Sequence, residues 1–127
     1  MIRNKVVCVM LLLLIPGICF ALDADREVMD NGLIVLHTER NNLPIVKVSL
    51  LIKASPLDEL SEKAGLANLT ARMLNEGTKN YTSQQISEEI EFIGGSVGAS
   101  ADDDYTMVSL SVLKKDIEKG FEIFSDI

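Results

Sequence analysis

From Val46 to Lys53 apolar and polar residues alternate. Val46, Val48, Leu50 and Ile52 fall on one side of an extended chain, and Lys47, Ser49, Leu51 and Lys53 on the other. A period of two marks a strand with one buried face. It returns in residues 105–113, where Thr106, Val108, Leu110 and Val112 share a side. Residues 33–39 read as another strand, entered through the turn signal Asp30-Asn31-Gly32, and residues 96–101 as a strand of small side chains leading into the acidic turn Asp102-Asp103-Asp104.

Between these runs the period lengthens to that of a helix. Leu66, Leu69, Met73 and Leu74 make an apolar stripe on a helix expected from about residue 62 to residues 76–77, with Gly77 as its left-handed cap. A second helix begins at Thr82 or Ser83, where Thr82 and Gln85 have capping-box spacing. It carries Ile86, Ile90 and Ile93 on one stripe and stops at Gly94-Gly95. A last helix from Lys115 is expected to turn Ile117, Phe121 and Phe124 inward. The order strand, strand, helix, helix, strand, strand, helix predicts an α+β fold: a mainly antiparallel sheet with helices packed on one face.

The first residues follow a different logic. Arg3 and Lys5 precede an apolar run over residues 6–15, and Cys19-Phe20-Ala21 offers small residues at the usual cleavage positions. This is the composition of a secretory leader, residues 1–21, its apolar run too short to span a bilayer comfortably. Residues 22–127 are then the mature part, exported to the periplasm or the extracellular space and free of the membrane after cleavage. Both cysteines, Cys8 and Cys19, lie in the leader, so the mature part has no disulfide to draw on. Losing Arg3 and Lys5 makes the formal net charge of −7 more negative by two, which argues against nucleic acid and anionic membrane as partners.

Chemistry enters at residues 65–78, GLANLTARMLNEGT. Gly65, Ala67, Met73, Gly77 and Thr78 match the frame G-x-A-H-x-x-E-H-M-x-x-x-G-T of the inverted zinc-peptidase helix. Asn31-Gly32-Leu33 and Asn42-Leu43-Pro44 upstream, and Gly94-Gly95-Ser96 downstream, fall in the matching order. From about residue 27 onward the chain resembles the N-terminal domain of the pitrilysin/insulinase family of zinc metallopeptidases. In that motif two histidines four apart bind zinc, and the glutamate beside the second acts as general base. Here Asn68, Ala71 and Arg72 occupy those three positions. Asparagine is a poor ligand, alanine carries no base, and arginine is a fixed cation that repels a divalent metal. The chain's one histidine, His37, lies in the strand GLIVLHTER and is assigned no role. No catalytic residue and no bound zinc are therefore expected.

The resemblance implies a domain about twice this length, so the chain is expected to be a truncated N-terminal part, with the family's third ligand falling beyond Ile127. It also implies a partner: the related bacterial enzymes are built from two similar chains, one with an intact H-x-x-E-H helix. Three functions follow. The first is the non-catalytic, substrate-binding subunit of a heterodimeric exported peptidase. The second is a stand-alone exported peptide-binding or assembly module, and the third, which the substitutions disfavour, an active zinc metalloendopeptidase. In the resembling proteases an extended peptide adds to an edge strand, here matched by Gly98, Ala99, Ser100 and Ala101. The same small residues would equally suit packing beneath a helix. Asp102, Asp103 and Asp104 are consecutive, the wrong spacing for a calcium loop, and Glu88, Glu89 and Glu91 read as the solvated side of their helix.

Overall fold

The structure, a computed structural model, describes residues 24–127, so the expected leader lies outside the described residues. They divide into two compact units, one ending at Arg40 and the other running Asn41–Ile127.

The first unit is a β-hairpin. Strands β1 (Asp25–Val28) and β2 (Ile34–His37) pair antiparallel, with Val28 opposite Ile34 and Asp25 opposite His37. The turn is made by the residues that signalled it. Gly32 takes φ 86°, which a side chain would resist, and Asn31 Oδ1 accepts from the Leu33 amide at 3.0 Å. β1 was not legible in the sequence, because Asp-Arg-Glu-Val has no apolar alternation; the pairing supplies its order.

The second unit is a three-stranded antiparallel sheet in the order β3-β5-β4, carrying three helices. Its elements are β3 (Ile45–Ile52), α1 (Leu66–Met73), α2 (Ser83–Phe92), β4 (Ser96–Ala101), β5 (Thr106–Leu113) and α3 (Ile117–Asp126). The register places Val48 and Val97 on either side of Leu110, and Val46 beside Val112. Thr106, Val108, Leu110 and Val112 are buried on that side as their alternation predicts, and the core joins Leu110 and Val112 to Ile86 and Ile90 of α2 and Ile123 of α3. All three helices lie on this face: α1 packs on β4 and β5, α2 on β4, and α3 on β5. The opposite face carries Lys47, Ser49, Ser96, Gly98, Ser109 and Ser111.

Close packing of α2 and α3 depends on two glycines. A methyl group at Gly95 would stand 2.7 Å from Val112 Cγ1 and 3.1 Å from the Ser111 carbonyl oxygen, and one at Gly120 would stand 2.8 Å from the same Val112 methyl. The capping box that opens α2 is formed: Thr82 accepts from the Gln85 amide, and the Gln85 side chain accepts from the Thr82 amide at 2.9 Å.

Three expectations from periodicity need correcting. Residues 61–63 form a separate 3₁₀ turn, and Gly65 at φ 96° breaks the chain before α1, which ends at Met73. Gly77 is therefore no cap; it pairs with Thr82 in an isolated bridge. In α3 it is Ile123, fully buried, and Gly120 that face the core, whereas Phe121 is 49% exposed; Ile117 and Phe124 pack against the core edge as expected. The largest departure is in α1. Leu66, Leu69 and Met73 are 50%, 55% and 59% exposed, and the helix buries Ala71 instead.

Candidate functional site

Helix α1 and strand β4 bring the chemistry-bearing stretch of the sequence against the small-residue strand. Asn68 and Arg72 are exposed, one turn apart on α1, and Ala71 between them is 1% exposed. The small Ala71 side chain closes the helix onto the sheet. The three side chains do not fit a zinc ion, since they offer one neutral amide oxygen, no donor atom and one permanent cation. Among the described residues no three His, Cys, Asp or Glu side chains stand together as a metal site, the Asp102–Asp104 turn included.

What holds α1 in place is a residue that sequence reasoning passed over. Glu59, in the polar segment before the helix, accepts from the Gly65 amide through Oε2 at 2.6 Å and from the Ala67 amide through Oε1 at 2.5 Å. A carboxylate on both amides satisfies orphan donors at the helix start and complements its positive dipole end. The signal available was an acid shortly before a helix-opening glycine. Beside it a groove of about 480 Å³ runs between α1 and the preceding loop, lined by Ile52, Ala54, Leu60, Leu66, Leu74 and Thr106.

The Gly-Thr that closes the motif frame has a structural task. Thr78 Oγ1 accepts from the amides of Asn80 at 3.1 Å and Tyr81 at 3.0 Å and donates to Asp126, while Asn80 Nδ2 donates to the other Asp126 oxygen at 2.7 Å. The loop between α1 and α2 is thus tied to the end of α3. Nearby, Tyr81 donates to Glu122 at 2.8 Å and accepts from Lys119 at 3.1 Å. That hydrogen bond first, and the Glu122 and Glu89 carboxylates after it, hold the Lys119 ammonium above the ordinary lysine range despite partial desolvation.

Strand β4 has β5 as its hydrogen-bonded neighbour, and its other edge is unpaired among the described residues. Gly98, Ala99 and Ala101 are half-buried and Ser100 is exposed. An edge whose side chains are this small leaves room for an incoming strand, spaced about 4.8 Å away, to reach its backbone groups.

Residues 34–127 match the sequence profile of insulinase, peptidase family M16. The chain belongs to this family. An uncharacterized zinc protease of Rickettsia felis is 31% identical over 99 residues, covering 78% of this chain and 24% of that protein. Subunit alpha-1 of the mitochondrial-processing peptidase of Dictyostelium discoideum is 31% identical over 103 residues, covering 81% of this chain and 16% of the subunit. Among solved M16 structures, the crystal structure of a peptidase M16 inactive domain from Pseudomonas fluorescens superimposes with a TM-score of 0.77 at 27% identity, covering 83% of this chain and 26% of that one. The chain thus spans about a quarter or less of the length of these M16 relatives.

Proposed function

We infer that this M16 chain is the non-catalytic, substrate-binding subunit of an exported heterodimeric peptidase. The observation that carries this is the contrast within α1. Its family frame stays in place, held by Glu59 at one end and the Thr78 tie beyond the other, while the ligand, base and ligand positions hold Asn68, a buried Ala71 and Arg72. The side chains offer no site for zinc and no general base, and the retained function is binding. An extended peptide adds to the free edge of β4 at Gly98, Ala99, Ser100 and Ala101, and hydrolysis falls to a homologous partner with an intact H-x-x-E-H helix.

Support for a partner comes from the relative that is itself a peptidase subunit, and support for a non-catalytic role from the inactive domain of Pseudomonas fluorescens. Export, to the periplasm or the extracellular space, rests on Arg3, Lys5, the apolar run over residues 6–15 and Cys19-Phe20-Ala21.

The test is zinc content and peptide cleavage by the full-length chain, alone and mixed with a homologue carrying the complete motif. Cleavage only in the mixture, with no stoichiometric zinc on this chain, is the expected result. Zinc-dependent cleavage by the chain alone would overturn it. Peptide binding by the chain alone, with no gain in the mixture, would make it a stand-alone peptide-binding module instead.

A further inference from the structure

A second pocket, of about 290 Å³, opens between the end of α1, the last turns of α2 and the start of β4. Its lining is graded. Ile86 and Ile90 of α2, both buried, and Val97 of β4 supply apolar walls; Asn75 and Glu91 supply polar groups. Asn75 lies just past the C-cap of α1, and its Oδ1 is buried without a hydrogen-bond partner. An unpaired buried acceptor is costly unless a donor reaches it. Glu91 brings a full negative charge from the last turn of α2.

Helix polarity adds to this. The pocket stands at the C-terminal ends of α1 and α2; the last turn of α1 carries Arg72, which offsets its negative end, whereas the last turn of α2 has no basic residue. An unpaired acceptor, a carboxylate and the uncompensated C-terminus of α2 beside apolar walls are complementary to a long aliphatic stem ending in a cation.

We propose that this pocket receives the side chain of a lysine or arginine from a peptide lying along the free edge of β4. The stem runs between Ile86, Ile90 and Val97, and the ammonium or guanidinium is held by Glu91 and Asn75. The proposal rests on β4 taking a peptide, as inferred above, and adds which side chain the site selects. The strand places it well: Val97 is on the helix-bearing side of the sheet, so alternate side chains of an added strand project toward the same layer as the pocket.

The experiment is fluorescence anisotropy of the full chain with labelled extended peptides, identical except that one position, moved along the peptide, holds lysine, arginine, norleucine or glutamate. Lysine or arginine at one position is expected to bind about tenfold more tightly than norleucine there. Glu91→Lys, an exposed substitution that leaves the core untouched, is expected to move the preference to glutamate. Asn75→Leu is expected to weaken the lysine preference while sparing the norleucine peptide. Equal binding of all four peptides, or a preference unchanged by Glu91→Lys, would overturn the pocket's role and leave the β4 edge standing. Failure to bind any of them would overturn both.

Discussion

The two sides of the helical layer are built on different terms. On one side α2 and α3 close over β5: Ile86, Ile90, Leu110, Val112 and Ile123 are all buried, and Gly95 and Gly120 let backbone approach to within contact of one valine. On the other side α1 contributes the buried methyl of Ala71 and leaves Leu66, Leu69 and Met73 about half exposed beside an open groove. The first side is held by packing, which tolerates little change in volume. The second is held by directional polar contacts at its ends, Glu59 on the N-terminal amides and Thr78 on Asp126. A helix tethered in that way keeps its position while the residues along its exposed surface change.

The largest effect should come from truncating the packed side. Leu110→Ala removes a side chain 2% exposed and is expected to cost about 3 kcal/mol, whereas Leu69→Ala on α1 should cost under about 1 kcal/mol. Urea denaturation midpoints of the two variants would measure this, and equal losses would abolish the contrast.

Next is the glycine pair Gly95 and Gly98. Gly95→Ala forces a methyl against Val112 and the Ser111 carbonyl and is expected to cost about 1–3 kcal/mol. Gly98→Ala on the edge strand meets nothing within 4 Å and should change thermal stability by no more than about 0.5 kcal/mol. A large loss at Gly98 would mean that β4 is more constrained on that side than its free edge implies.

Removing the carboxylate that caps α1 sharpens the comparison further. Glu59→Ala is expected to cost about 1 kcal/mol and, by hydrogen exchange, to speed the Gly65 and Ala67 amides while leaving α2 protected. If α2 loosened equally, the two sides would be one cooperative unit.

The smallest effect concerns Lys119, whose folded pKa is raised by its hydrogen bond to Tyr81 and by the nearby carboxylates. Because the folded value lies above the unfolded one, the stabilisation is fully present in the neutral range. It is lost as pH rises past the unfolded lysine value and through the folded one. Lys119→Met should therefore flatten the alkaline part of the stability–pH curve.

Much of this was legible before any coordinates. The alternation at Thr106, Val108, Leu110 and Val112, the Thr82–Gln85 box and the Asp30-Asn31-Gly32 turn each encode local geometry in neighbouring residues, and each is found where its pattern placed it. The site was legible only in part. Asn68, Ala71 and Arg72 declared in the sequence that their chemistry does not suit zinc, yet that Ala71 is the residue pressed onto the sheet was not visible there. Glu59 was hidden for a related reason: its partners are six and eight residues on, across a 3₁₀ turn that no hydrophobic period announces.

By itself, then, the order of residues determined strands β2 to β5, the start of α2, the family frame and the identity of the side chains standing at its three motif positions. These depend on period, caps and chemical type, all properties of short stretches of chain. Only the tertiary structure decided which apolar stripe is covered. The stripe of α2 meets β4 and the core, while that of α1 keeps a half-exposed face, because burial is set by what a distant part of the chain brings to a surface. The same holds for the pocket at Asn75 and Glu91, assembled from two helix ends and a strand that are apart in the sequence and come together only on folding.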